Sequence, residues 1–182
     1  MSNKPQLFTE AMTLYQERGM KFTMDELSTR LCISKKTLYE MVQSKEDLIV
    51  EVIHFYFDGV ADLQNAIHAD MSLSAVDKIK KLLCATPDFV IRKYHLHELK
   101  MNYPAAFKLL DDKLRLGWER TFSVFDQAKK ENAIKDIDNV LFSKIYAASI
   151  EEIIMENDFD STVSFRQKQE QMVDILLFGI CK

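Results

Sequence analysis

The chain has 182 residues, of which 47% are hydrophobic and 29% are charged, a composition typical of a globular protein. Its formal net charge of −4 gives no sign of a nucleic-acid partner for the molecule as a whole, so such a role would depend on a local group of charges. Only four glycines and three prolines occur, which disfavours a fold of many strands and turns. Three dispersed cysteines, no apolar leader and no run of about 18 apolar residues predict a reducing cytoplasm and no membrane span.

The N-terminal third is predicted to contain two short helices between two longer ones. Gly19 ends the first helix, and Thr23 begins the second with Glu26 three residues later, the pattern of a capping box. Ser34 and Ser44 are the predicted N-caps of the next two helices. The four predicted helices occupy residues 5–18, 23–31, 34–42 and 44–69.

The rest of the chain predicts longer helices with wider apolar faces. Pro87 and Pro104 suit first-turn positions, and no segment alternates with the period of two that marks a half-buried strand. The five predicted helices occupy about residues 74–84, 87–100, 104–131, 137–156 and 162–180. We therefore predict an all-α protein of about nine helices, with an N-terminal module in residues 1–60 and a helical body in residues 61–182.

The two short helices have the spacing of a helix-turn-helix over residues 23–42, in which the second helix enters the major groove of DNA. Residues 1–50 hold seven basic and seven acidic side chains, but residues 33–38 hold two basic and no acidic ones, so a local basic face on a neutral module is expected. Lysine ammonium groups and hydroxyls in its first turn can reach phosphates and base edges. Seven side chains are predicted to contact DNA: Thr23, Ser34, Lys35, Lys36, Thr37, Tyr39 and Lys45.

The same stretch resembles a known family. S-K-K-T-L-Y followed by S-K-E-D-L is similar to the S-K-G-T-L-Y-x-x-F-x-S-K-E-x-L pattern of TetR-family transcriptional regulators, and the resemblance covers about residues 5–60. It implies the same seven DNA contacts. Three positions depart from the pattern: Lys36 and Cys32 stand where glycine is common, and Val42 where an aromatic residue is usual. The departures affect the expected operator sequence more than the fold.

The resemblance implies a homodimer whose last two helices form a four-helix bundle with those of its partner. Y-A-A-S-I-E-E-I-I (146–154) offers small residues for close helix approach. M-V-D-I-L-L-F-G-I (172–180) is more apolar than one intramolecular face requires, although core packing is an alternative explanation. Two recognition helices about 34 Å apart would read successive major grooves, so a palindromic operator is expected.

The resemblance also implies an effector pocket in the helical body, which is rich in aromatic residues and methionine. For any single one of these side chains, core packing is the better explanation. The expected effector is a small apolar or aromatic molecule that shifts the conformational equilibrium and releases a repressor from its operator. Eight residues are the candidates to line the pocket: Phe89, Tyr94, His97, Met101, Tyr103, Trp118, Phe122 and Tyr146.

Two other classes of function compete with this prediction. An enzyme is disfavoured because His95 and His97 project about 200° apart around a helix, and no metalloprotease, nucleophile-elbow or P-loop motif occurs. We therefore predict no catalytic residues, no metal and no cofactor. The alternative function is a helical protein-interaction module whose helix-turn-helix does not bind DNA.

Overall fold

The computed structural model describes residues 4–85, 93–155 and 163–180. These residues form nine α-helices and a short 3₁₀ helix, Gly19–Lys21, with no strand among them, which confirms the predicted all-α class. Of the described helices, none combines the length and the apolar character that crossing a membrane requires. The α-helices are α1 (Lys4–Arg18), α2 (Met24–Arg30), α3 (Lys35–Met41), α4 (Lys45–Ala69), α5 (Ala75–Leu83), α6 (Lys93–Asn102), α7 (Pro104–Lys130), α8 (Asn139–Met155) and α9 (Phe165–Ile180).

The described residues divide into two compact units. The first unit consists of residues 4–59 and 93–113, and the second of residues 60–85, 114–155 and 163–180. The first unit therefore contains α6 and the start of α7 in addition to the predicted N-terminal module. The predicted beginning of the sixth helix, including Pro87, lies outside the described residues.

Each of the first four helices contributes one fully buried leucine to the core of the first unit: Leu7, Leu27, Leu38 and Leu48. Leu99 of α6 and Leu110 of α7 are buried in the same core. Because α2 and α3 are only seven residues long, they are too short to be stable as isolated helices and depend on this packing.

The second unit has its own core, in which Ile79, Phe125 and Val173 are fully buried. Among the buried polar side chains of this unit, the least exposed is Gln169 of α9, at 1%. Its amide donates to the Leu83 carbonyl oxygen and to the Tyr146 hydroxyl, at 3.0 Å in each case. The Tyr146 hydroxyl also donates to the Leu83 carbonyl oxygen at 2.6 Å, so these buried polar groups satisfy one another.

Candidate nucleic-acid interface

Helix α2 begins with the capping box that the sequence predicts. The Glu26 amide donates to Thr23 Oγ1 at 3.2 Å, and the Thr23 amide donates to Glu26 Oε2 at 2.8 Å. Arg18, at the end of α1, donates to the other Glu26 carboxylate oxygen at 2.5 Å. These hydrogen bonds lower the pKa of Glu26, with the Thr23 backbone amide as the largest cause. The start of α2 is thus defined by its own sequence and joined to α1.

The turn from α2 to α3 is a Schellman motif, in which the residue after the C-cap adopts a left-handed conformation. The Cys32 amide donates to the Thr29 carbonyl oxygen at 3.1 Å, and the Ile33 amide donates to the Ser28 carbonyl oxygen at 3.0 Å. Cys32 has a φ of 53°, which explains physically why glycine would suit this position. The motif ends α2 sharply and allows α3 to begin after Ser34.

Helix α3 directs its apolar side inward and its first turn outward. Ser34 caps it, because Ser34 Oγ accepts from the Thr37 amide at 3.0 Å, and Leu38 anchors it in the core. Lys35 and Lys36 are exposed, while Lys35 Nζ lies 2.6 Å from Asp25 Oδ2 on α2. Both side chains of that pair are more than 60% exposed, so the pair contributes little to stability and can exchange for a phosphate.

Lys45, in the first turn of α4, has different surroundings from the other predicted contacts. Its ammonium group donates to the Met20 carbonyl oxygen at 2.5 Å and to the Phe22 carbonyl oxygen at 2.6 Å. It also lies 4.2 Å from the centroid of the Phe22 ring. Burial lowers the pKa of Lys45, while the charges of Glu26 and Glu98 oppose this shift. A phosphate would have to compete with two carbonyl groups for this lysine.

In the second unit, three of the eight candidate pocket residues pack together. The Trp118 ring centroid lies 5.6 Å from that of Phe122 and 5.4 Å from that of Tyr146. Burial raises the pKa of Tyr146 to about 12, so its hydroxyl remains a neutral hydrogen-bond donor near neutral pH. The cluster combines an apolar surface with a polar group that already has its partners.

A known bacterial regulator is similar to this chain in sequence. The uncharacterized HTH-type transcriptional regulator YvaF of Bacillus subtilis (strain 168) is 27% identical over 177 residues, which span 96% of this chain and 93% of that protein. No model of a protein family matches the sequence.

Solved structures also resemble this chain over nearly all of its length. The TetR family transcriptional regulator PfmR from Thermus thermophilus has a TM-score of 0.69 at 15% identity, covering 95% of this chain and 97% of that one. The chain has the fold of the TetR-family regulators. AibR, solved in complex with isovaleryl coenzyme A and operator DNA, has the same TetR fold, with a TM-score of 0.72 at 17% identity over 94% of this chain and 96% of that one.

The structure places the predicted DNA contacts of this TetR fold in two groups. Six occur at the N-cap of α2 or within α3 and its cap, and five of these six are exposed, Thr37 being half-buried. Tyr39 is 48% exposed, a large value for an aromatic side chain in a packed module. Lys45 is half-buried and forms the second group by itself.

The predicted pocket residues are not brought together as one set. Phe89 and the Tyr94 side chain lie outside the described residues. His97 and Met101 are exposed on α6, and Tyr103 is half-buried just beyond it, all in the first unit. Among the candidates whose side chains the structure describes, Trp118, Phe122 and Tyr146 form a contiguous group. Among the described residues, no three His, Cys, Asp or Glu side chains lie close enough to bind a metal.

Sequence reasoning missed the buried Gln169, although a signal for it exists. Gln169, Val173 and Leu177 are four residues apart and lie on one face of α9. A polar residue on an otherwise buried face predicts a buried hydrogen bond. Its partner could not be deduced, because the Leu83 carbonyl is 86 residues away in the chain.

Proposed function

We propose that the protein is a sequence-specific DNA-binding transcriptional regulator in the cytoplasm. The observation that carries the proposal is the first turn of α3, where Lys35, Lys36 and Thr37 follow an N-cap whose hydroxyl oxygen accepts from the Thr37 amide. Lysine can donate to guanine O6 and N7, and hydroxyls can serve phosphates or bases. AibR, which shares the fold, was solved with operator DNA, which supports the same use of this module here.

A homodimer on a palindromic operator is the second part of the proposal. Large apolar side chains are exposed on α8 and α9, and such a patch typically marks a protein–protein interface. On α8, Leu141 and Ile145 are 55% and 45% exposed, one turn apart; on α9, Ile175 and Phe178 are 73% and 82% exposed. The same patch on a second copy would cover these residues by two-fold symmetry.

A small effector that releases a repressor from DNA completes the proposal. The Trp118, Phe122 and Tyr146 cluster is the part of the second unit that would contact an apolar or aromatic group. AibR binds isovaleryl coenzyme A, so an acyl thioester is one ligand to test against simple aromatic compounds. To change the DNA-competent fraction from 99% to 1%, the effector must favour the released state by about 10⁴-fold.

The DNA-binding proposal is tested by fluorescence anisotropy at several salt concentrations. Operators are first selected from random duplexes, and affinity is then compared with that for an unselected duplex. We expect selected DNA to bind at least about a hundredfold more tightly. Lys35→Ala with Lys36→Ala should weaken binding and reduce the slope of log affinity against log salt by about 0.9 per lost phosphate contact.

Lys130→Ala is the matched control, because Lys130 is an exposed lysine in the last turn of α7. It removes one positive charge, where the double variant removes two, and should leave affinity for the selected DNA nearly unchanged. Equal weak binding to all duplexes, with nothing enriched by selection, would contradict the proposal and favour the protein-interaction alternative. The melting temperature of each variant shows whether a loss of DNA affinity results from misfolding.

A further inference from the structure

The Lys45 ammonium group occupies a site formed by the end of the 3₁₀ helix and the residue that follows it. Its two acceptors, the carbonyl oxygens of Met20 and Phe22, belong to residues that are 8% and 3% exposed. Carbonyl groups at the end of such a short helix have no partner within the helix, and water reaches buried ones poorly. The lysine supplies the missing donors.

The ring of Phe22 completes this site. The ammonium lies 4.2 Å from the ring centroid, close enough for a cation–π contact in addition to the two hydrogen bonds. Lys45 is therefore directed into the module by three interactions at once. The exposed Lys36 at the start of α3 has no comparable set of partners among the described residues.

This site lies next to the start of α2, the first helix of the helix-turn-helix. Phe22 is followed directly by Thr23, the N-cap of α2, whose amide and hydroxyl form the capping box. Lys45 is the first residue of α4. The ammonium therefore connects the beginning of α4 to the beginning of α2. Lys45 and Phe22 are 23 residues apart in the chain.

Glu98 of α6 is the nearby acid from outside the helix-turn-helix. Its charge opposes the burial that lowers the pKa of Lys45, and it adds to the burial that raises the pKa of Tyr15. One carboxylate oxygen of Glu98 is buried and has no hydrogen-bond partner among the described residues. A positive charge at Lys45 compensates this carboxylate, which a neutral side chain would not do.

We propose that Lys45 is a positioning residue, which holds the start of α2 against α4 and so orients α2 and α3 for operator binding without contacting a phosphate. The inference rests on the proposed DNA-binding function. It replaces the expectation from sequence that this lysine contacts DNA directly. The geometry favours positioning because two of the three N–H donors of the ammonium serve the Met20 and Phe22 carbonyls, and the Phe22 ring lies against the same group.

The salt dependence of DNA binding separates the two roles. A phosphate contact releases counterions, so its loss reduces the slope of log affinity against log salt, whereas the loss of a positioning residue weakens binding without changing the slope. In the full chain, Lys45→Met keeps an unbranched side chain that is one heavy atom shorter, and removes its charge and donors. Lys36→Met is the matched control on the exposed surface of α3.

We expect Lys45→Met to lower operator affinity by about tenfold with an unchanged salt slope, and Lys36→Met to reduce the slope by about 0.9. In the free protein, amide hydrogen exchange at residues 19–27 should increase several-fold in Lys45→Met only. Lys45→Gln retains N–H donors, so it should lie between Lys45→Met and the wild type in both measurements.

A reduced slope with unchanged exchange in Lys45→Met would show a phosphate contact and overturn the proposal. Unchanged affinity and unchanged exchange would overturn it equally. If circular dichroism shows that Lys45→Met does not fold, Lys45→Gln carries the same comparison. If the wild type does not bind selected DNA, the proposed function is rejected. If the wild type binds and Lys45→Met binds equally well, only the positioning role is rejected.

Discussion

At the residue scale, the conformation of Cys32 shows how one side chain can conflict with its backbone. Its φ of 53° lies in the left-handed region, where the Cβ atom crowds the following carbonyl oxygen. Asn132 has a φ of 56° in the equivalent motif after α7, where the Ala133 amide donates to the Ala128 carbonyl oxygen. Asparagine tolerates this region better than cysteine does, so the conflict is larger at Cys32.

Cys32→Gly should therefore stabilise the protein. The left-handed conformation costs a non-glycine residue about 1–2 kcal/mol, and the greater entropy of glycine in the unfolded chain offsets about half of that. We expect a net gain of about 0.5–1 kcal/mol in the free energy of unfolding, measured by urea denaturation at constant m-value. Asn132→Gly is the control and should gain less stability. Cys32→Val places a β-branched side chain in the left-handed region, so it should lower the free energy of unfolding by at least about 1 kcal/mol. A destabilised Cys32→Gly variant would contradict this account.

At the element scale, the ends of the helices depend on groups close in sequence. The α2 capping box joins Thr23 and Glu26, and α5 repeats it with Ser74 and Asp77. Each is an N-cap and its third following residue, so the pattern is readable directly from the chain. The sequence did not predict the 3₁₀ helix Gly19–Lys21, because Gly19 indicated only the end of α1.

The charge of Glu26 makes the α2 capping box sensitive to pH. Its pKa in the folded protein is below its ordinary value of 4.5, first because the Thr23 amide donates to the carboxylate. A depressed folded pKa contributes stability that is fully present above the unfolded pKa and is lost as the pH falls through the folded pKa. The contribution should thus be complete near neutral pH and decline below about pH 4.5.

The measurement is the difference in unfolding free energy between the wild type and Glu26→Gln as a function of pH. Glutamine can still accept from the Thr23 amide, so the difference reports the charge. We expect the wild type to be more stable at pH 7 and the difference to shrink as the pH falls below 4.5. A difference that stays constant from pH 7 to pH 3 would be inconsistent with a depressed pKa for Glu26.

At the scale of the whole molecule, the number of copies in the assembly decides how many half-sites of DNA the recognition helices can contact. A single seven-residue recognition helix contacts only a few base pairs, whereas a symmetric pair reads two half-sites. The exposed apolar residues of α8 and α9 are the features that favour such a pair. Ile175 and Phe178 are the most exposed of them, so they should contribute strongly if a second copy covers this patch.

Ile175→Asp with Phe178→Asp should convert a dimer to a monomer, because burying two carboxylates in an apolar interface is strongly unfavourable. Light scattering at micromolar concentration measures the mass of each species. Met71→Asp is the control, since Met71 is 90% exposed in the turn between α4 and α5, and it should leave the mass unchanged. A wild-type protein that is already monomeric would reject the dimer proposal.

The sequence by itself determined the helical class, most helix ends and the location of the helix-turn-helix. These features depend on capping residues and apolar spacing within a few positions of each other, so they need no knowledge of the fold. The Thr23, Ser34 and Ser44 starts all illustrate this local control: each accepts from an amide three residues ahead.

Only the tertiary structure decided which polar groups meet across the chain. Lys45 bonds to carbonyls 25 and 23 residues earlier, and Gln169 to one that is 86 residues earlier. The sequence suggested a phosphate for Lys45 because a lysine at a helix start is a good anion ligand when it is free. Packing brought the buried carbonyls of Met20 and Phe22 within reach of the Lys45 ammonium. A buried carbonyl without a hydrogen-bond donor costs free energy, so these carbonyls favour the lysine in this position.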